Sequence, residues 1–398
     1  MIFGIPFATF RLIIITLAVL SQVYLFVRIR YVIRSSTGSD RFKSRAVLLT
    51  GAFMCLLFAL NGFILFRPIP WIDPPVAARA LIFYPPAIWC FGALFSAFLL
   101  LLGRIISRMT GIFRRLYRTL SGRAAVPLDL SRRHFIKTGV FGIAAAPFIL
   151  SGYGAAYSVR SCEVNKFVIP FGCPVRAVQL TDIHAGIYMT RKQIRGYADQ
   201  AAALKPDIFL LTGDYISNSL SFLPECLEEM ARIKTRFGTY ATLGNHEHWY
   251  GELYAIRGIF RQYGIVLLNN AHRVIKTERG PFALIGIDDL RFGHPDLDAA
   301  LKGLGMPIPA ILMSHRPEIF PRAAALGIGL TLSGHYHGGQ IKLSLPGIDL
   351  SLAHFTTPYP EGLYRINDAH LYVSRGVGTT FIPVRLNAVP EVTLFDLV

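Results

Sequence analysis

Three long apolar segments near the start of the chain constrain its fold more than any other feature. Residues 46–66 and 80–102 carry no charged side chain, and residues 5–27 carry only Arg11 near one end. A helix needs about 20 apolar residues to cross a bilayer, so each segment is long enough to span it, and Arg11 can extend toward the membrane surface. Buried core helices are the alternative, but three such segments in succession favour a membrane domain.

A fourth, weaker apolar segment covers residues 138–157. The sequence therefore predicts a bundle of about four transmembrane helices within residues 1–157, and a separate domain over residues 158–398. Pro85 and Pro86 lie inside the third segment and are expected to kink it, which neighbouring helices can accommodate in a membrane.

The positive charge of the chain is concentrated in its membrane part. The formal net charge is +17; residues 1–157 hold 18 Lys and Arg against 3 acidic residues, whereas residues 158–398 hold 23 against 21. Basic residues around apolar spans are typical of the positive-inside rule, and the nearly neutral second part argues against nucleic acid as a partner. Ten of the 11 histidines follow residue 157, so catalytic or metal chemistry is expected there.

The loops between the spans predict the orientation of the chain. Residues 28–45 contain six Lys and Arg, residues 67–79 contain two, and residues 103–137 contain nine. Because cytoplasmic loops carry an excess of these residues, the first and third loops should be cytoplasmic. The N-terminus and residues 158–398 should then lie on the extracytoplasmic side.

The stretch SRRHFIK at residues 131–137 is consistent with this topology. Its paired Arg132 and Arg133, followed by a weakly hydrophobic segment, are similar to a twin-arginine export signal, which the twin-arginine export machinery would recognise. The same arginines are also explained as further positive-inside charges, and both interpretations give one topology. The sequence has no small-residue cleavage site before a change of composition, so we expect the segment to stay as an anchor.

Cys162 and Cys173 lie at the two ends of a short segment, and a disulfide between them is one possibility. An oxidising compartment would permit the bond. Free thiols are the alternative, because a disulfide requires Cα atoms within about 7 Å of one another.

The second part of the chain alternates between strand-like and helix-like runs. VRAVQL (175–180), DIFLLT (207–212) and FALIGI (282–287) have the composition of buried strands, and residues 191–204 have that of a helix. Such alternation predicts a layered α/β fold with both faces of the sheet covered.

Ligand-type side chains follow five of the predicted strands. The motifs are TDIH, TGDY, GNHEH, MSH and SGHYH, and they supply Asp182, His184, Asp214, Asn245, His246, His315, His335 and His337. The carboxyl ends of parallel strands are where open α/β sheets bind ligands. One such motif alone could be a turn, but the ordered set predicts a metal site.

The local spacing of these residues also suits a metal. If the segments are extended, Asp182 and His184 share one face, and so do His335 and His337. Glycines precede Asp214, Asn245 and His335, and glycine permits a sharp turn and close approach to an ion. Carboxylate, imidazole and amide donors without a cysteine suit Mn, Fe, Zn or Mg.

The motifs TDIH, LTGDY, GNHEHW, MSHRPE and SGHYHGGQ resemble those of the calcineurin-like metallophosphoesterase superfamily over roughly residues 175–398. The preceding apolar segments and twin-arginine-like motif resemble its bacterial membrane-anchored branch. The resemblance implies a four-layer α/β/β/α sandwich and a location in the bacterial inner or plasma membrane. It also implies hydrolysis of phosphomonoesters or phosphodiesters by in-line attack of a hydroxide that bridges two metal ions.

The resemblance further implies roles for individual residues at a site with two divalent ions of unknown identity. Asp182, His184 and His337 would bind the first ion, Asn245, His315 and His335 would bind the second, and Asp214 would bridge them. His246 would contact the phosphate and assist the leaving group. Tyr336 stands where threonine is common, and Glu247 where aspartate is frequent, but neither change removes a ligand.

The sequence leaves alternatives open for the substrate and for the catalytic function. Membrane anchoring favours a phosphoester that is a lipid or a lipid-linked nucleotide. Related UDP-2,3-diacylglucosamine pyrophosphate hydrolases act at the cytoplasmic face, which would require the opposite orientation. A non-catalytic binding or sensor module on the same fold would be favoured by a missing ligand, and the sequence lacks none.

Overall fold

The computed structural model describes residues 7–66, 73–121, 130–157, 161–305 and 308–398. The chain divides into two compact units, Met1–Ile64 with Ala80–Tyr153, and Leu65–Arg79 with Gly154–Val398. The predicted domain boundary after residue 157 stays a prediction.

Helices make up the described part of the first unit and also the segments of the second unit that adjoin it in sequence. In chain order they are α1 (Phe7–Ser35), α2 (Asp40–Phe66), the short α3 (Val76–Ala78) with a π-helical turn (Arg79–Phe83), α4 (Tyr84–Ser121) and α5 (Leu130–Tyr157). Four helices within the described ranges are long and apolar enough to cross a membrane, as predicted. The first two residues of the first predicted span, and the side chains of SRRHFIK, lie outside the part that the structure describes.

Polar contacts join α1, α4 and α5 within this unit. The Trp89 indole donates to Gln22 Oε1 at 3.0 Å, and its ring centroid lies 5.1 Å from that of Phe148. The Ser96 hydroxyl donates to the Ala144 carbonyl at 2.6 Å. Lipid offers no partner for such groups, so hydrogen bonds between spans help to hold a membrane bundle together.

The third span has two features that the sequence did not indicate. The first is the π-helical turn, which ends just before Tyr84, Pro85 and Pro86 in the first turn of α4. Such turns are a common form of local irregularity in helices. The helix also continues past residue 102 to Ser121, so part of the predicted third loop is helical. Residues 103–121 contain no proline and place arginines among apolar residues, which allows the helix to continue.

The second unit contains strands and shorter helices. Its strands are β1 (Glu163–Ile169), β2 (Val175–Leu180), β3 (Ile208–Thr212), β4 (Thr239–Thr242), β5 (Val266–Leu267), β6 (Ala271–Thr277), β7 (Gly280–Gly286), β8 (Ala310–Met313), β9 (Leu330–Ser333), β10 (Lys342–Leu345), β11 (Ile348–Ser351), β12 (Gly362–Ile366), β13 (Ala369–Val373) and β14 (Glu391–Leu397). Its helices are α6 (Arg191–Ala203), α7 (Leu223–Ala231), α8 (Asn245–Tyr250), α9 (Leu253–Gln262), α10 (Leu297–Leu301) and α11 (Phe320–Ala325).

The strands form two large sheets and one hairpin. The first sheet has the order β1-β14-β2-β3-β4-β5, and β2 to β5 run parallel. The second has the order β12-β13-β9-β8-β7-β6, in which β13, β9, β8 and β7 run parallel. β10 and β11 pair as a separate antiparallel hairpin.

Buried side chains define four layers. Ile208 and Leu210 of the first sheet share one cluster with Leu284 and Ile311 of the second, so the two sheets pack face to face. Apolar residues of α6, α7 and α9 cover the other face of the first sheet, and those of α10 and α11 cover the second. The predicted α/β/β/α sandwich is therefore confirmed.

The disulfide that the sequence left open does not form, because Cys162 and Cys173 are both free thiols. Strand β1 occupies most of the segment between them. Seven residues of extended chain span about 23 Å, which holds the two sulfur atoms at opposite ends of a strand.

Candidate metal centre

The eight side chains predicted to form the site follow the carboxyl ends of five parallel strands. β2, β3 and β4 of the first sheet precede Asp182, Asp214 and Asn245, and β8 and β9 of the second sheet precede His315 and His335. The two sheets thus both supply residues to one place, which explains why the motifs are so far apart in sequence.

One group of ligand atoms belongs to Asp182, His184 and His337, all buried. The Nε2 atoms of His184 and His337 lie 3.1 Å apart, and Asp182 Oδ1 lies 3.3 Å from His337 Nε2 and 3.9 Å from His184 Nε2. A metal bound at about 2.1 Å holds neighbouring ligand atoms about 3 Å apart. The donor set and its spacing therefore fit a divalent cation.

A second group joins Asp214, His315 and His335. Asp214 Oδ2 lies 3.3 Å from His315 Nε2 and also 3.6 Å from His184 Nε2 of the first group. One carboxylate therefore faces ligands of both groups, which suits a bridging role. His315 Nδ1 donates to the Thr212 carbonyl at 2.8 Å, so in the neutral ring its Nε2 keeps the lone pair that a metal needs.

Asn245 and His246 begin helix α8 beside these groups. Asn245 is buried. His246 Nδ1 donates to the Ser217 carbonyl at 2.6 Å, and its Nε2 lies 3.9 Å from Asp214 Oδ2. The carbonyl fixes the ring orientation, so the free Nε2 faces the site.

The charges of the cluster are mutually dependent. Burial raises the pKa of Asp182, but His337 and His315 outweigh this effect and lower it to about 2. Burial lowers the pKa of His315, but Asp214 and Asp182 outweigh this effect and raise it to about 10. The carboxylates therefore favour positive charge between them, and a divalent cation would displace the proton on binding.

The backbone at the site differs from the extended conformation predicted for Asp-x-His and His-x-His. Asp182, His184 and Asp214 have φ of 51°, 51° and 54°, and His335 and His337 have 75° and 52°. These values lie in the left-handed region, which is uncommon for residues other than glycine. The prediction of side-chain alternation is therefore wrong here, because the strands end first and these five residues have a left-handed backbone.

Gly244 and Gly334 lie where the backbone passes very close to the side chain of a predicted ligand. A Cβ atom at Gly334 would meet Asp182 Oδ2 closer than 3.0 Å, and one at Gly244 would meet Asp214 Oδ1 closer than 3.0 Å. Any side chain at either position would displace a carboxylate that is predicted to bind metal.

We expect Gly334→Ala to weaken binding of Mn²⁺ about tenfold or more, because the added methyl group displaces Asp182. Gly329→Ala is the matched control, since a Cβ atom there would have no neighbour within 4 Å. Mn²⁺ titration of the two purified variants measures the effect, and equal affinities in both would contradict the steric argument.

Glu247 has a role that the sequence did not indicate. Its buried carboxylate accepts the backbone N–H groups of Asp214 at 3.0 Å, Tyr215 at 2.8 Å and Gly244 at 2.8 Å. The side chain therefore fixes the loop after β3 to the start of α8. The glutamate side chain is long enough to accept all three of these hydrogen bonds.

Arg316 is the residue of the site that sequence reasoning missed. Its side chain is buried, and its Nη2 donates to Asn245 Oδ1 at 3.2 Å while its Nη1 lies 2.5 Å from His335 Nε2. Nε donates to Asp289 Oδ2 at 2.9 Å. Asp289 also caps its own loop by accepting the N–H groups of two following residues. The only sequence feature that points to this role is the position of Arg316 directly after the predicted ligand His315.

Tyr336 and Gln340 stabilise the loop that carries the two histidines. The Tyr336 hydroxyl donates to Glu318. Gln340 accepts from the Thr380 N–H at 2.8 Å and donates to the Ile382 carbonyl at 3.1 Å. Gln340 thus joins this loop to the segment that contains Thr380 and Ile382.

Comparison with known proteins identifies relatives of this chain. The pattern of the calcineurin-like phosphoesterase family matches residues 175–339. The chain is 30% identical over 281 residues to the uncharacterized metallophosphoesterase YkuE of Bacillus subtilis (strain 168), covering 67% of this chain and 98% of YkuE. It is 28% identical to phosphodiesterase YaeI of Escherichia coli (strain K12), covering 68% and 100%. It is 29% identical to a Danio rerio transmembrane protein with a metallophosphoesterase domain, covering 66% and 64%.

Proposed function

Because the chain belongs to the calcineurin-like phosphoesterase family and hydrolyses phosphoester bonds, we propose that it is a membrane-anchored phosphoesterase that works with two divalent metal ions. The observation that carries the proposal is the convergence of buried carboxylate and imidazole groups around Asp214. YaeI is a phosphodiesterase, which favours phosphodiesters over phosphomonoesters as the substrate class.

The chain's own residues account for the parts of such a reaction. Asp182, His184 and His337 would hold one ion, Asn245, His315 and His335 the other, and Asp214 would contact both. Bound divalent ions neutralise phosphate charge and lower the pKa of water. His246, whose Nδ1 donates to the Ser217 carbonyl, would place Nε2 against the leaving oxygen and, in its imidazolium form, give that oxygen a proton and become neutral. Burial of the ligands limits competing contacts with solvent and strengthens these electrostatic effects.

Membrane association follows from the four apolar helices and the transmembrane relatives. The finer parts of our proposal are a bacterial inner or plasma membrane, an extracytoplasmic catalytic domain, and export by the twin-arginine machinery. A lipid or lipid-linked nucleotide is the proposed substrate, because an anchored enzyme meets such phosphoesters at its own membrane. The asymmetric charge of the loops supports the orientation.

Removal of metal tests the proposed function. We expect the chelated, detergent-solubilised protein to lose hydrolysis of bis-p-nitrophenyl phosphate, because its buried carboxylates alone would repel the substrate. Return of Mn²⁺, Fe²⁺, Zn²⁺ or Mg²⁺ should restore turnover and rank the metals. Release of p-nitrophenol is the readout. A fully loaded protein that hydrolyses neither this diester nor p-nitrophenyl phosphate would support a non-catalytic binding module instead.

A reporter joined after Val398 tests the orientation. We expect alkaline phosphatase fused there to be active and an epitope tag fused there to be cleaved by protease added outside spheroplasts, because only an extracytoplasmic fusion gives that pair of results. The reverse pattern would contradict the proposed topology and favour a UDP-2,3-diacylglucosamine pyrophosphate hydrolase at the cytoplasmic face. Fusions after Ser36, in the first basic loop, provide a cytoplasmic control.

A further inference from the structure

We propose that the hairpin β10–β11 and the turn after it form a docking surface for the lipid of the membrane that holds the chain's own spans. The surface, which we call the apolar face of the hairpin, consists of Leu343, Ile348, Leu350, Leu352 and Phe355. The inference needs the membrane association of the chain. It needs neither a bound metal nor catalysis, so it stands apart from the proposed activity.

The hairpin exposes a face made of apolar side chains. Successive side chains of a strand alternate between its two faces, and Leu343 pairs with Leu350 across the hairpin. Leu343 and Ile348 are 57% and 58% exposed, and Leu350 is exposed as well. The two residues that join the strands are Pro346 and Gly347, so the tip of the hairpin adds no charge to this face.

The opposite face of the hairpin is polar and packs on the domain. It carries Lys342, Ser344, Asp349 and Ser351, of which Lys342 and Ser351 are buried. Lys342 Nζ pairs with Glu361 at 2.5 Å and with Asp349 at 3.4 Å. An antiparallel sheet in water usually places its apolar face on the core and its polar face in solvent. This hairpin does the reverse, so burial of its outer face against an apolar partner would be favourable.

The apolar face continues into the turn that follows β11. A 3₁₀ turn covers Leu352–Phe355, and residues three apart in such a turn lie on the same side. Leu352 and Phe355 are 73% and 72% exposed, whereas Ala353 between them is buried. A contiguous apolar patch of this kind marks a surface that contacts a protein or a membrane.

Contacts at the base of the hairpin favour lipid as the partner. The Lys342 N–H donates to the Leu386 carbonyl at 2.9 Å, and the Arg385 N–H, one residue earlier, donates to the Gly154 carbonyl at 3.4 Å. Gly154 lies near the end of the fourth helix of membrane-spanning length, Gly139–Ala156. Because a helix that spans a bilayer ends at its surface, a hairpin whose base adjoins that end is within reach of lipid.

The shape of the hairpin limits the contact to the surface layer of the membrane. Each strand has four residues, which is about 13 Å of extended chain. The open edges of a two-stranded hairpin carry backbone N–H and C=O groups that hydrocarbon cannot satisfy. Docking at the boundary between headgroups and acyl chains, as amphipathic helices dock, keeps these groups hydrated while the leucines contact lipid.

Docking would also hold the candidate metal centre at a fixed distance from the lipid surface. The turn His337–Gly339 directly precedes β10. A Cβ atom at Gly339 would meet Ser351 Oγ closer than 3.0 Å, so the hairpin packs on the loop that carries a predicted metal ligand.

Photo-crosslinking of the full-length protein in nanodiscs of phosphatidylethanolamine and phosphatidylglycerol tests the partner. p-Benzoylphenylalanine replaces Phe355, and mass spectrometry after irradiation measures the lipid adduct. We expect this position to give about tenfold more lipid adduct than the same replacement of Tyr254, which is exposed on α9, since a docked side chain stays in contact with lipid. Replacement of Phe141, which is exposed on α5, provides the positive control.

A polar variant tests whether the apolar face causes the contact. Leu343→Asn combined with Leu350→Asn should reduce the lipid adduct at position 355 about tenfold or more, because burial of one leucine side chain can contribute a factor of that size. Its melting temperature should match that of the wild type, since both side chains are exposed. Val274→Asn combined with Leu326→Asn changes two exposed side chains outside the hairpin and should leave the adduct unchanged.

Three results would overturn the inference. The first is a lipid adduct at position 355 no greater than at position 254 while position 141 reacts. The second is a crosslink from position 355 to another copy of the chain in place of lipid, which would assign the face to self-association. The third is an unchanged adduct in the variant with both asparagines. Each result leaves hydrolysis of bis-p-nitrophenyl phosphate untouched, so failure of this inference is distinct from failure of the proposed function.

Discussion

Asp214→Asn should reduce hydrolysis of bis-p-nitrophenyl phosphate by about 10²–10³-fold or more, because loss of one preorganised electrostatic partner alone has effects of that size. Asp214 Oδ2 faces His315 Nε2 at 3.3 Å and His184 Nε2 at 3.6 Å, and Oδ1 accepts the His246 N–H at 2.9 Å. Asparagine can keep the contact to His246 with its oxygen. Its amide NH₂ group then faces both histidines, where a metal needs an anionic oxygen.

The variant is informative because it should fold. Asparagine tolerates the left-handed backbone of this position, where φ is 54°. Asp368→Asn is the matched control, since Asp368 is fully exposed and pairs only with the exposed Arg365 among the ion pairs that the structure describes. Release of p-nitrophenol at saturating metal measures both variants. Turnover by Asp214→Asn within about twofold of the control would reject the bridging role.

His246→Asn should have the second largest effect, and its size should depend on the leaving group. The asparagine amide can replace the donor to the Ser217 carbonyl, which His246 Nδ1 contacts at 2.6 Å, but nothing replaces Nε2. General acid catalysis typically contributes about 10²–10⁴-fold. We expect a loss in this range with a dialkyl phosphodiester, and a much smaller loss with an aryl diester, whose leaving group needs no proton.

The ratio of the two losses is the decisive measurement. Phosphorus nuclear magnetic resonance can follow the alkyl substrate, and absorbance the aryl one. His370→Asn on β13 controls for the removal of a histidine. Equal losses with both substrates would show that His246 acts on binding or metal placement and not on the leaving group.

Prediction from sequence succeeded for features that depend on residues close to one another in the chain. Strands, helices and membrane spans depend on composition over short windows, so VRAVQL and DIFLLT were identified within a residue of β2 and β3. The resemblance gave the ligand residues and their expected roles. The structure brings these side chains together, and their roles in metal binding stay predictions.

Features that depend on tertiary contacts could not be predicted. The φ angles of His335 and His337 arise because the chain must turn immediately after β9, a constraint absent from residue spacing. In the sequence, Arg316 resembles many surface arginines. Only the folded structure places it beside Asp289, in the loop after the neighbouring strand, with which it forms a 2.9 Å ion pair. Glu247 likewise acquires its role only when the loop after β3 lies against α8.

The left-handed backbone of the site has a consequence for evolution. Conformations of this kind cost on the order of 1–3 kcal/mol for each residue that is not glycine, and the chain adopts them at Asp182, His184, Asp214, His335 and His337. Selection for stability alone would replace the three histidines with glycine or asparagine, which accept this backbone more readily. A lineage released from catalysis should therefore lose its ligands early and melt at a higher temperature than its active ancestor.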